Sequence, residues 1–65
     1  MNVKVGQVWE DNDSRMTYRR PLKVLEIVGD KAIVQHPRGL GSKTRIRLDR
    51  FKPTANGYRL VQDVP

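Results

Sequence analysis

Cysteine is absent from the 65 residues. That excludes disulfide bonds and thiolate metal sites as supports for the fold. Histidine occurs once, at His36, which excludes a paired-histidine metal site; a catalytic set would have to join His36 to Ser14, Ser42 or a threonine, and His36 next to Pro37 reads instead as a surface strand residue. Apolar runs are short: the richest segment, LKVLEIVG, is broken by Lys23 and Glu26 and falls far below the length that crosses a bilayer. The first residues, MNVKVGQVWEDND, have no basic region followed by an apolar stretch and do not read as a secretion signal. Together these absences point to a soluble, cytoplasmic, non-catalytic protein with no cofactor, no metal and no membrane contact.

A chain of this length forms one domain, residues 1–65, and buries only about 60% of the surface that its unfolded form exposes. Its core is therefore thin, with no room for a deep, walled catalytic cleft. What the chain has in excess is positive charge: 13 Lys and Arg against 7 Asp and Glu, a net charge of +6. The excess is uneven. Residues 1–14 carry Lys4 against Glu10, Asp11 and Asp13, whereas residues 15–52 carry eleven bases against Glu26, Asp30 and Asp49. Charge of this kind bears on partners rather than on fold, and a polyanion is the natural one.

Periodicity predicts strands throughout. Gln7 to Asp11 alternates and is followed by the turn formers Asp11-Asn12-Asp13-Ser14. Leu22 to Val28 is rich in β-branched and leucine residues behind Pro21, but its alternation slips. Leu22 and Val24 share one parity, Leu25 and Ile27 the other, which calls for a β-bulge near Val24 or a strand buried on both faces. Gly29-Asp30-Lys31 is a tight hairpin turn into Ala32 to His36. Pro37 to Ser42 is a loop. Lys43 to Leu48 alternates most regularly, with Thr44, Ile46 and Leu48 expected inward and Lys43, Arg45 and Arg47 outward. Asp49-Arg50-Phe51 reads as a single helical turn with Phe51 aimed at the core and Pro53 ending it. Asn56-Gly57 turns the chain into a closing strand from Tyr58 to Val61. Trp9 is expected to plug one end of the core, the alternative being a half-exposed binding aromatic.

Two motifs fall short of the chemistry they resemble. Asp11-Asn12-Asp13 lacks the glycine and distant glutamate of a calcium loop and serves as a turn. Gly39 to Thr44 has the wrong residue order for a phosphate-binding P-loop and precedes a strand, not a helix. A glycine loop that leads into basic residues still brings backbone N–H groups within reach of a phosphate.

The basic residues carry the stronger signal. Lys43, Arg45 and Arg47 leave one strand on the same side at a spacing of about 6.6 Å, close to the phosphate spacing of an extended nucleic-acid strand. Arg50 and Lys52 continue the charge around the helical turn. Arg15, Arg19 and Arg20 surround Tyr18 in the first long loop, a mixture that holds phosphates and stacks on a base. The alternative is that Arg45 and Arg47 are neutralised by Glu26, Glu10 or Asp49.

Five strands with one helical turn before the last form an all-β chain that resembles the SH3-like barrel group, with its KOW-type and Tudor-type modules. Closure of such a barrel hides its strand edges. The strings GQVWEDND, TRIRLDRFKPT and GYRLV are similar to short uncharacterised proteins of phages and their bacterial hosts. The resemblance implies binding rather than catalysis: KOW-type relatives bind RNA or ribosomal and polymerase proteins, and some integrase C-terminal barrels bind DNA. Tudor types bind methylated tails, but Trp9, Tyr18, Phe51 and Tyr58 do not make a recognisable aromatic cage. Two expectations follow. One is a nucleic-acid-binding module, for DNA or RNA, that acts through Arg15, Tyr18, Arg19, Arg20, Lys43, Arg45, Arg47, Arg50 and Lys52. The other is a phage-encoded adaptor or inhibitor whose basic face docks on an acidic host protein. A monomer or a small homo-oligomer that buries Ile33 or Val61 suits either.

Overall fold

The hairpin turn at Gly29 sets the register of the central strands. Gly29 adopts φ +61°, a conformation that costs other residues dearly and that two-residue hairpin turns require. It joins β2 (Pro21–Val28) to β3 (Lys31–Gln35), with Val28 directly opposite Lys31. The structure is a computed structural model that describes residues 3–12, 20–54 and 57–64. Around this hairpin lie β1 (Val8–Asp11), β4 (Thr44–Arg47) and β5 (Tyr58–Gln62), with a 3₁₀ turn at Leu48–Arg50. All pairings are antiparallel, in the order β4-β3-β2-β1-β5. The architecture is all-β, five strands with a single short turn of helix before the last, and it is compatible with an SH3-like barrel. The sheet does not close: among the described residues β4 and β5 remain its two edges.

The slipped alternation of β2 is a bulge. Its register against β3 shifts between Val24 and Glu26, so that Leu25 is the extra residue. Val24 therefore faces inward and is fully buried, while Glu26 and Val28 face outward. Bulges bend a strand, and this one lets β2 serve β1 on one side and β3 on the other.

Trp9, Val24, Ala32, Val34 and Phe51 form the buried core, with Val3, Leu22, Ile46, Leu48 and Tyr58 packed against it. Trp9 is only 7% exposed and meets Phe51 edge to face, ring centres 5.1 Å apart. Such a pair adds about 0.5–1.5 kcal/mol beyond its burial. The expected core role of Trp9 and Phe51 holds. The expected strand is trimmed at both ends: Lys43 precedes β4 and Leu48 opens the 3₁₀ turn, one residue earlier than periodicity placed it. Thr44 is exposed rather than inward, because β4 is an edge strand and no element covers it there. The 3₁₀ turn is pinned by Leu48 N–H, which donates to the Asp30 carbonyl at 2.8 Å.

One buried polar residue ties the segment before β1 to the segment after β5. Gln7 is 1% exposed. Its Oε1 accepts from the backbone N–H of Lys4 at 2.8 Å and from the Trp9 indole N–H at 3.2 Å, and its Nε2 donates to Asp63 at 2.7 Å. Its backbone adds two more, accepting from Val24 N–H at 2.9 Å and donating to the Lys4 carbonyl at 3.2 Å. A buried amide is tolerated only when it is satisfied in this way. The turns expected over Asp13 and Ser14 and at Asn56 lie outside the described residues.

Candidate functional site

β3 and β4 present one side of the sheet to solvent. On β4 the outward residues are Arg45 and Arg47, both exposed. Directly across on β3, Ile33 stands opposite Arg45, and Lys31 stands opposite Arg47. The next strand continues these rows with Glu26 beside Ile33 and Val28 beside Lys31. Neighbouring strands lie about 4.8 Å apart and alternate residues about 6.6 Å apart, so three cations occupy a patch hardly wider than two strands.

Neutralisation of this patch is slight. Arg47 pairs with Asp49 at 2.8 Å, both side chains more than half exposed; such a surface pair is worth about 0–1 kcal/mol. Glu10, the second acid considered, is occupied by Arg59 at 2.5 Å on the far half of the sheet. Glu26, the third, is separated from Arg45 by the whole of β3. Arg45 has no acidic partner among the described residues. Between Arg45 and Lys31 lies a depression of about 230 Å³ walled by Val28 and Ile33.

The other expected site residues do not all join this face. Lys43 is exposed immediately before β4, at the end where β3 finishes. Arg50 and Lys52 are exposed at the opposite end, in and just after the 3₁₀ turn. Arg20 stands apart: it lines a second hollow, of about 400 Å³, with Leu22, His36, Leu40 and Ser42. Arg15, Tyr18 and Arg19 lie outside the described residues. Lys31 was overlooked by reading along single strands. The Gly29 turn makes Lys31 the first residue of β3, and the register of β3 against β4 sets it opposite Arg47. Among the described residues no group of three His, Asp or Glu is placed to hold a metal ion, and no helix is long and apolar enough to cross a membrane.

No family model, curated protein or solved structure matches the chain.

Proposed function

We propose that the protein is a non-catalytic nucleic-acid-binding module of the SH3-like type that grips phosphates with the outer face of β3 and β4. The observation that carries this reading is Lys31 opposite Arg47. Like charges directly opposite each other on neighbouring strands destabilise a sheet by fractions of a kcal/mol. Among the described residues Asp49 alone is paired with either of them. A polyanion lying over the face relieves the repulsion and uses both cations, with Arg45 supplying a third contact. Lys43 and Arg50 extend the track along the strand direction, and Lys52 follows the turn. Arg15, Tyr18 and Arg19 belong to the reading on the sequence alone, as further phosphate and base contacts.

Titration of labelled single- and double-stranded DNA and RNA by fluorescence anisotropy tests it. Affinity should fall steeply between about 50 and 200 mM salt, with a log–log slope near −0.9 per phosphate contact on duplex. The Arg45→Glu, Arg47→Glu variant should fold and lose most of the binding. A folded variant that binds as before removes this face from consideration.

A second reading is favoured by the depression between Val28 and Ile33. Apolar walls flanked by Lys31 and Arg45 suit an acidic protein that seats one aliphatic side chain there, as an adaptor or inhibitor docking on a host protein does. A stoichiometric partner that survives nuclease treatment of a bacterial lysate distinguishes it from the first.

A further inference from the structure

The Gln35 side chain gathers the two glycines of the loop from Pro37 to Lys43. Gln35 Nε2 donates to the carbonyl oxygens of Gly39 and Gly41, at 3.3 and 2.9 Å. Both glycines adopt φ +75°, which brings the two carbonyls round to the same side chain. In a trans peptide the carbonyl and the following N–H point in opposite directions. The N–H groups of Leu40 and Ser42 are thereby turned away from the Gln35 amide. Among the described residues neither donates to a protein acceptor.

The hollow of about 400 Å³ beside this loop has a one-sided chemistry. Its polar lining comes from Arg20, Gln35, His36, Ser42 and Thr44, and among the described residues no acidic one lines it. His36 Nδ1 accepts the Arg38 backbone N–H at 3.1 Å, so the neutral ring carries its proton on Nε2 and donates from there. A cation among polar groups, with no carboxylate among the described lining residues, favours an anion. The volume lies within the range of about 300–1,000 Å³ typical of small-molecule sites, more than a bare phosphate fills. Leu22, Leu40 and Pro21 give the remaining space apolar walls.

We propose that this hollow is a nucleotide site. Arg20, His36 and Ser42 hold the phosphate, and the base lies against Leu22 and Leu40. The occupant is a phosphorylated nucleoside, either free or as one unpaired residue of a strand. The site shares no lining residue with the β3–β4 depression, so it stands whether or not that face binds nucleic acid.

Amide chemical-shift titration of the ¹⁵N-labelled protein with adenosine monophosphate tests the proposal. Saturable shifts are expected at Leu40, Gly41 and Ser42, with adenosine binding at least tenfold more weakly. Arg20→Gln, a change at an exposed position, should weaken binding about tenfold through loss of one charge-assisted hydrogen bond. Arg45→Gln should leave this titration unchanged while it weakens binding of long nucleic acid, which separates the two readings. Unmoved loop amides, or adenosine binding as tightly as its phosphate, overturn the proposal. Inorganic phosphate binding as tightly as the nucleotide overturns the base half of it. Displacement by a 5′-phosphorylated trinucleotide supports the strand as the source, and no displacement supports the free nucleotide.

Discussion

Lys31 and Arg47 face each other across β3 and β4, cation against cation, on the solvent side of the sheet. Stability and binding make opposite demands on such a pair. Lys31→Gln should raise the stability of the free protein by roughly 0.2–1 kcal/mol. The same change should weaken nucleic-acid binding and reduce the magnitude of the salt slope by about one unit. Urea denaturation and anisotropy on the same preparation check both. A variant that gains stability without losing affinity shows that Lys31 contacts no phosphate.

Gln7 is expected to be among the least replaceable polar residues. Gln7→Leu keeps a similar size but removes the acceptor shared by Lys4 N–H and the Trp9 indole, and the donor to Asp63. Leaving the buried indole N–H unpaired costs about 1–3 kcal/mol by itself. Against a total of about 5–15 kcal/mol for an ordinary domain, the urea midpoint should drop clearly. Tryptophan fluorescence reports it, since Trp9 is the chain's single tryptophan.

Asp63 makes that clasp sensitive to acid. Its carboxyl is held below the ordinary 3.8, first by the hydrogen bond from Gln7 and then by the backbone N–H of Val64; desolvation opposes the shift, and the charge of Lys4 adds the least to it. The unfolded chain therefore binds the proton more readily than the folded one. The contribution to stability is fully present above 3.8 and disappears as pH falls through the lower folded value. The stability difference between wild type and Asp63→Asn should accordingly be largest at neutral pH and shrink in strong acid. A difference independent of pH refutes the assignment.

Two glycines offer a contrast. A Cβ on Gly57 would overlap the Lys52 carbonyl oxygen and stand 2.9 Å from both the Arg50 carbonyl oxygen and the Thr54 hydroxyl. That Lys52 carbonyl accepts N–H bonds from Thr54 and Tyr58, at 2.8 and 3.0 Å, so moving it loosens the start of β5. Gly57→Ala should cost about 3 kcal/mol, the upper part of the usual range for overpacking. Gly29→Ala meets no atom within 4 Å and pays only for its positive φ, about 1–2 kcal/mol. Thermal unfolding of the two variants should rank them in that order.

Local patterns were readable from the sequence, and cross-strand relations much less so. The β2–β3 hairpin was legible because Gly29-Asp30 is a turn on its own account, and the bulge because the parity of β2 slips within six residues. Arg45 and Arg47 were legible as a solvent-facing pair, since alternation along one strand suffices to place them. Lys31 was not, because its neighbour on β4 depends on the register of two strands joined by a long loop. Gln7 read as an ordinary strand residue, for its partner Asp63 is 56 positions away. Thr44 was expected inward by the same alternation that placed Ile46 correctly. Parity tells which side a residue faces, not whether anything lies there to cover it.

The Gln7 clasp also has a topological consequence. Lys4 and Asp63 hang on one side chain, so the chain runs nearly in a circle whose gap is bridged without a covalent bond. Short linkers across such a gap commonly permit circular permutation. With a short linker joining the chain at Lys4 and Asp63 and the chain opened between Gly39 and Leu40, all five strands keep their neighbours, whereas the loop held by Gln35 is cut. That rearranged chain would retain the cationic face and lose the hollow beside it, which divides the two candidate sites by chain connectivity alone.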